Sequence, residues 1–513
     1  MSFRAYCTRT GVALATSLTL LSLAPTRAGA APTEPLELDN SVQATNECAS
    51  CHLFLNPALH QGEPNVSPQA YTGSLMSNSA RDPVFWAGVA IAHQDAPGET
   101  QDCVRCHAPI AFLEGRGDAI AIDELQPQDL HGVSCDLCHR MIDDGETPAG
   151  NARYVLDDVA VNGSVPRRGP WTYGPGEDPQ HPTSDDDAHL ASARLCGTCH
   201  DVTTARERVD DRGVGLGVPF NEQRTYSEWL GSVYAQDGPD QRSCQDCHMP
   251  ALADVAGCDG FNIAQSFHAT GGRRHDLVGL NLPVIQLIQA VYGKSAGGTL
   301  DDPYFELTRE VAELLREQSA TLDAAFPDEV DLGVGIPALD VTVTNNTGHK
   351  LPTGYSEGRV MWLEITATYG DALVYSSGRW DEQAMTIEDD AQVRRYEAIA
   401  EDDGDGARLH LLRNNHWVVD SRIPPRGLTP DLETDPVGDR YALGPDNTWP
   451  HQDSASFSFP PAVVPDQGPD VAPELTLRAR LLYLINTPEY VEFLAEENST
   501  NAAGTELAAL FDE

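Results

Sequence analysis

Positive charge is scarce in this chain. Its 513 residues hold 33 Lys and Arg against 78 Asp and Glu, a formal net charge of −45. Nucleic-acid phosphates need a basic face, so that class of partner is excluded. An acidic coat of this kind gives solubility in salt or attracts a cationic partner. Long apolar runs are also missing. Past the first thirty residues none approaches the roughly 20 residues needed to span a bilayer. Periodic stretches are few between residues 48 and 275, where Gly-, Pro- and Asp-rich loops dominate, above all 145–187. Such a segment buries too little side-chain surface to build a core unaided. Cysteine, at 12 residues, is too sparse for a disulfide scaffold. The chain is also too long for one compact core, so at least two domains are expected.

The early apolar run has its own meaning. Arg4 and Arg9 precede "VALATSLTLLSLA", residues 12–24, and Ala28, Gly29 and Ala30 follow as a small-residue cleavage site. This is the pattern of a signal peptide over 1–30. Its removal takes away Arg4, Arg9 and Arg27, so −45 becomes −48, and also removes Cys7. No cysteine stands at the cleavage point for lipid attachment. The expected product is a soluble protein in the periplasm or outside the cell.

What the chain does contain is one motif five times. Cys48 and Cys51 precede His52 in "CASCH". Cys103 and Cys106 precede His107 in "CVRCH". Cys135 and Cys138 precede His139 in "CDLCH". Cys196 and Cys199 precede His200 in "CGTCH". Cys244 and Cys247 precede His248 in "CQDCH". Ten of the twelve cysteines are used in this way. A zinc site does not need histidine after every second cysteine, and a thioredoxin-like redox pair does not recur five times. Covalent haem c attachment does need this spacing. Two thiols add to the two vinyl groups of one porphyrin, and the adjacent imidazole meets the iron. The motifs therefore predict five covalently attached haem c groups. They would also supply the core that the loops lack. Haems so dense in sequence lie close enough for electrons to pass between them.

The sixth iron position decides between a closed electron carrier and an iron open to substrate. Seven further histidines lie within the segment: His60, His93, His131, His181, His189, His268 and His275. His131 stands just before the third clamp, in "HGVSCDLCH", and is a candidate ligand to a neighbouring iron. His189 has a similar place before the fourth, with His181 as its competitor, and His275 closes the segment. His60, His93 and His268 read equally well as ordinary loop or core histidines. Met76 and Met249 read as packing.

The second half has a different pattern. A helix is predicted over 301–322, with Pro303 near its start and Leu307, Val311, Leu314 and Leu315 on one face. Alternation then begins. "ALDVTVTNN", "RVMWLEITATYG" and "LTLRARLLYLI" read as strands of an antiparallel β-sandwich. "EDDGDG", residues 401–406, lacks the full spacing of a calcium loop and reads as a solvated turn. Between two predicted strands, "NNTGHKLPTGYSEGR" carries His349 at a loop tip, within reach of a haem in the first half.

The stretches "GVSCDLCHR", "LCGTCHDV", "CQDCHMP", "RRHDLVGLN" and "GHKLPTG" resemble bacterial exported multihaem cytochromes c of the cytochrome c-552/4 type. The similar stretches span the haem segment and the start of the sandwich. The resemblance implies mostly bis-histidine haems in a chain, an electron-transfer role, and iron ligation by a histidine in the position of His349. Related proteins include enzymes acting on small nitrogen or sulfur compounds. The CxxCK variant that marks the catalytic haem in one nitrite-reducing group is absent here.

The expected fold class is α+β. A loop-rich pentahaem domain with short helices, 31–280, is followed by connecting helices, 281–325, a β-sandwich, 326–495, and an acidic tail, 496–513. Three functions compete: an exported pentahaem electron carrier served by redox partner proteins, a multihaem oxidoreductase with one open iron, and a subunit of a conducting surface filament. Cys258, left without an obvious partner, bears on the last as a link between subunits, with a plain buried thiol as the simpler account.

Overall fold

The computed structural model describes residues 31–49, 52, 68–171, 181–184, 188–253, 255–256, 267–331, 334–460 and 474–512. The signal-like segment, Cys51, His60 and Cys258 lie outside these residues.

The first half is built from short helices joined by ordered loops. They are α1 (Thr45–Ala49), α2 (Pro83–Asp95), α3 (Gln101–His107), α4 (Pro109–Leu113), α5 (Cys135–Arg140), α6 (Ala193–Gly197), α7 (Thr225–Leu230) and α8 (Cys244–His248). Only α2, with 13 residues, exceeds two turns. Its start follows from sequence. Asp82 accepts from the Val84 and Phe85 amides at 2.8 and 3.3 Å, and Pro83 occupies the first turn, where no donor is needed. Past Gly231, α7 is followed by a 3-10 turn, Val233–Ala235. A hairpin of β1 (Val202–Val209) and β2 (Gly215–Gln223) follows the fourth clamp directly.

Two helices then lead into the strands: α9 (Leu282–Tyr292) and α10 (Asp302–Ser319). The predicted helix over 301–322 stops short. From Ala320 the chain is extended as β3 (Ala320–Ala325), paired antiparallel with β4 (Leu339–Asn345), whose other edge takes β10 (Gln452–Phe457). Pairing with β4 overrides the local helical pattern, and partly buried Leu322 packs against the shared apolar cluster.

The second sheet centres on β5 (Arg359–Tyr369). β11 (Leu475–Ile485) pairs along the whole of one edge. The other edge is divided between β6 (Ala372–Ser377) and β7 (Arg394–Tyr396). A separate antiparallel pair joins β8 (Ala398–Glu401) to β9 (His416–Asp420). Leu339, Val341 and Val343 of β4 pack with Leu363 and Ile365 of β5 and with Tyr396 of β7 in one buried cluster.

The C-terminus is no free acidic tail. α11 (Pro488–Glu496) and α12 (Ala503–Asp512) return to the first half. Tyr490, Val491, Leu494 and Leu507 bury against Val84 and Ile91 of α2, Val284 and Ile288 of α9 and Phe305 of α10. Gly504 makes this turn: a Cβ there would collide with the Leu494 carbonyl oxygen. Glu506 and Asp512 lie on the exposed side of α12, opposite buried Leu507. No described helix is long and apolar enough to cross a membrane.

Leu507 is fully buried. Leu507→Ala is therefore expected to lower the unfolding free energy by about 2–5 kcal/mol, measured by denaturant titration of the holoprotein. A loss below about 0.5 kcal/mol, typical of surface positions, would show that α12 does not hold the two halves together.

Candidate functional site

Three clamps, Cys103–His107, Cys135–His139 and Cys244–His248, lie within the short helices α3, α5 and α8, while Cys196 lies in α6 and Cys199 and His200 just past its end. Two thiols three residues apart lie on one face of a helical turn, with the histidine next to them. The turns are fixed locally. Ser134 Oγ accepts from the Leu137 amide at 3.3 Å to cap α5, and Ser243 with Asp246 forms a capping box on α8. Gly197 inside the fourth clamp has a tertiary cause: the ring of Tyr226 lies where its Cβ would be.

Described residues of all five clamps line one cavity of about 1630 Å³, walled by apolar chains such as Leu75, Phe85, Val133, Leu195 and Val278. The described cysteines are free thiols. Neighbouring clamps meet through them. Cys48 lies within hydrogen-bonding contact of Cys135, Cys106 of Cys199, and Cys196 of Cys244. Cys135 and Cys244 are the members whose thiolates are favoured, because each accepts from its partner.

The imidazoles show pairing of another kind. The His139 and His275 ring centroids are 6.3 Å apart with planes at 21°. Those of His52 and His181 are 6.5 Å apart at 34°. These distances are too long for face-to-face contact. They match one metal ion held between two imidazoles: bonds of about 2.0 Å on each side, with roughly 1.1 Å from ring centre to nitrogen, put the centroids about 6.2 Å apart. The Nδ1 atoms are taken by backbone carbonyls: His139 by Arg168 at 2.7 Å, His275 by Arg273 at 3.1 Å, His181 by Pro182 at 3.1 Å and His248 by Val278 at 2.9 Å. Such a bond fixes the tautomer and leaves Nε2 for a metal. Burial pushes His107, His248 and His275 down to about 4. His139, His200 and His349 are lowered by the same cause. These rings are therefore neutral at pH 7, the form that binds metals.

His349 reaches the cavity from the strand half. Its backbone carbonyl accepts from Asn345 Nδ2 and Thr347 Oγ1, both at 2.8 Å. Its electrostatic influence reaches His200 and His248. The next residue anchors the loop. Lys350, 1% exposed, donates from Nζ to Asp420 at 2.6 Å, and its amide donates to Glu228 of α7 at 3.0 Å. Arg422 spans Asp420 at 2.6 Å and Glu228 at 3.4 Å. Thr353 Oγ1 adds a 2.7 Å bond to Glu228. This buried network ties α7, beside the fourth clamp, to β9 and the loop of His349. Burial alone would raise the Asp420 carboxyl, but Arg422 and Lys350 hold it well below its ordinary value.

The other expected ligands lie elsewhere. His131 ends a 3-10 turn near Arg81, outside the cavity lining, lowered to about 4 by burial. His189 is also outside the lining, although Leu190 and Ala191 are part of it, and its Nδ1 is buried without a hydrogen bond. His93 lies on α2, and His268 stacks on Trp171 at 4.0 Å. Met76 and Met249 line the cavity. Pattern reasoning gave His181 only as an alternative to His189; nothing in a Pro- and Asp-rich loop marks it as the ring facing His52.

These residues fit haem c on a further ground. In a chain poor in basic residues, Arg167, Arg168, Arg242, Arg273, Arg274 and Arg359 all line the cavity. Arg168 Nε and Nη1 are buried without a hydrogen-bond partner. Porphyrin propionates are carboxylates of the kind such orphaned donors take.

Lys350→Met removes one cation from a buried network and is expected to cost about 3–5 kcal/mol, read by denaturant titration. The Asp420 contribution is present above its unfolded value of about 3.9 and is lost as pH falls through its lower folded value. Stability of the wild type should therefore fall on acidification in that range, and more gently in the variant. Equal stability of the two proteins at pH 7 would contradict the network's role.

No protein-family model matches the chain, and no curated protein matches it. Among solved structures it is similar to a penta-heme cytochrome c552 from Thermochromatium tepidum, with 18% identity and a TM-score of 0.49, over 89% of this chain and 94% of that one. A likeness at that level establishes neither fold nor function.

Proposed function

We propose that this chain is an exported pentahaem c-type cytochrome that passes electrons along closely spaced haems. The observation that carries it is the convergence of five CxxCH clamps on one cavity, with two imidazole pairs at metal-bridging separation. Cys48 with Cys51, Cys103 with Cys106, Cys135 with Cys138, Cys196 with Cys199 and Cys244 with Cys247 would hold the porphyrins. His52, His107, His139, His200 and His248 would be the proximal ligands. His181 and His275 would complete the irons of His52 and His139, and His349 an iron at the fourth or fifth clamp.

Bound haem supplies a one-electron couple, ferric to ferrous. The chain's own residues do the rest. Clamp turns fix each group by two bonds and one ring. Backbone carbonyls on Nδ1 hold the rings in register. The thiol contacts between clamps bring neighbouring attachment sites side by side, the condition for electron hopping. The strand half brings its two sheets together over one buried apolar cluster and carries the His349 loop to the cavity. The signal-like segment 1–30 supports a periplasmic or extracellular site, where haem c is normally attached. The acidic surface suits a cationic redox partner.

One observation favours a second reading, an oxidoreductase with an open iron. Among the described residues eight histidines line the cavity, five of them in clamps and three others. Two clamps thus lack a described histidine partner.

The purified protein should give five haems per chain by pyridine haemochrome, still attached after denaturation. Cys135→Ala with Cys138→Ala should give four. Five from the double variant would rule out haem attachment at "CDLCH".

His275→Gly should turn one low-spin signal high-spin in electron paramagnetic resonance of the oxidised protein, and His131→Gly should leave the spectrum unchanged. The reverse would move the ligand to His131. A high-spin signal in the wild type that shifts with added cyanide or nitrite would favour the open-iron reading; indifference of every haem would favour the closed carrier.

A further inference from the structure

The cavity lining includes two acids, Glu222 and Glu357, that the electron-carrier reading leaves unused. Glu222 of β2 lines the cavity together with Cys103 and Cys106 of α3, and its charge reaches both thiols. The His107 ring of this clamp faces the Phe85 ring at 4.1 Å, nearly parallel, and no described histidine pairs with it as His275 does with His139. Glu222 has no hydrogen bond or ion pair among the described residues. Its resolved influences are burial and the Glu357 carboxylate, which together raise it to about 7. Glu357, 5% exposed, accepts from Tyr355 Oη at 2.8 Å and Asn414 Nδ2 at 2.9 Å, and burial raises it to about 7 as well. The other titratable or charged groups facing this pair are Tyr490 of α11, Asp82 at the start of α2, Arg359 of β5, and His410 with its partner Asp95.

An unpaired carboxylate lining the cavity beside a redox centre has one strong electrostatic response. Ferric iron favours its ionised form, and loss of that positive charge on reduction favours the acid. We propose that Glu222, backed by Glu357, is a proton-loading site for the haem attached at Cys103 and Cys106. For each electron that a one-electron donor delivers to that haem, the Glu222 carboxylate takes one proton from solvent, forming an O–H bond and keeping the cavity's charge constant. This rests on haem attachment at that clamp and adds proton coupling to it.

The test is spectroelectrochemical titration of the holoprotein with its haem count checked first. Between about pH 6 and 8, one component's midpoint should fall as pH rises, approaching about 59 mV for each tenfold drop in proton concentration. Glu222→Gln, nearly isosteric, should flatten that component and leave the others in place. Proton uptake on dithionite reduction, followed with an indicator dye in weak buffer, should drop in the variant. Five haems with pH-independent midpoints in the wild type, or an unchanged slope in Glu222→Gln, would overturn the inference while leaving the cytochrome reading intact. Fewer than five haems, with the Cys103–Cys106 peptide unmodified by mass spectrometry, would overturn both.

Discussion

Five CxxCH motifs turn thiols and imidazoles toward one cavity, and that constraint shapes the first half of the molecule. Long helices would bury a clamp's face against protein, so the segment stays in short turns and ordered loops. Some of its apolar side chains line the common cavity, and others pack on one another: Trp86, Val89, Val104, Ile110, Phe112 and Leu137 share one buried cluster. Buried polar contacts hold these loops as well. Arg140, which directly follows a clamp, is fully buried and donates to Asp157, Asn40 and Ser41 carbonyls and to Asp158. Asp136, inside the same clamp, accepts from Arg167 at 2.7 Å and from the Gln43 amide at 2.9 Å. The clamp that faces the cavity on one side is thus an anchor on the other.

The strand half is fixed to the first half by a buried charged network. A network of Glu228, Arg422, Asp420 and Lys350 would be costly to bury if any member stood alone, but each charge has an opposite within bonding distance. It therefore selects one docking geometry, and that geometry places the His349 loop at the cavity. Separately, α11 and α12 close against α2 and α9 through apolar contact. Polar specificity and apolar adhesion are divided between two contacts that are far apart in sequence.

Some outcomes turned on ordinary competition between local and tertiary preference. The helix expected through Leu322 ends at Ser319 because an edge of β4 is available to pair. The stretch expected as a tail is a packed helix because Leu507 finds a pocket made by residues hundreds of positions earlier. The acidic pair Glu222 and Glu357 carried no motif at all. A glutamate in a strand and another in a loop become one feature only when β2 and the loop before β5 meet.

The sequence by itself determined what is local and covalent. The clamp spacing, the short helices with their Ser, Asp and Pro caps, the strands β4, β5 and β11 and the candidacy of His275 and His349 could all be read from neighbours within a few residues. Tertiary structure alone decided which rings and thiols face each other. His181 opposite His52, His275 opposite His139, Cys106 beside Cys199 and the exclusion of His131 from the cavity lining depend on loops without periodicity. A loop's path is set by the buried ion pairs and hydrogen bonds at its ends. Those partners lie tens to hundreds of residues away, so no local pattern encodes them.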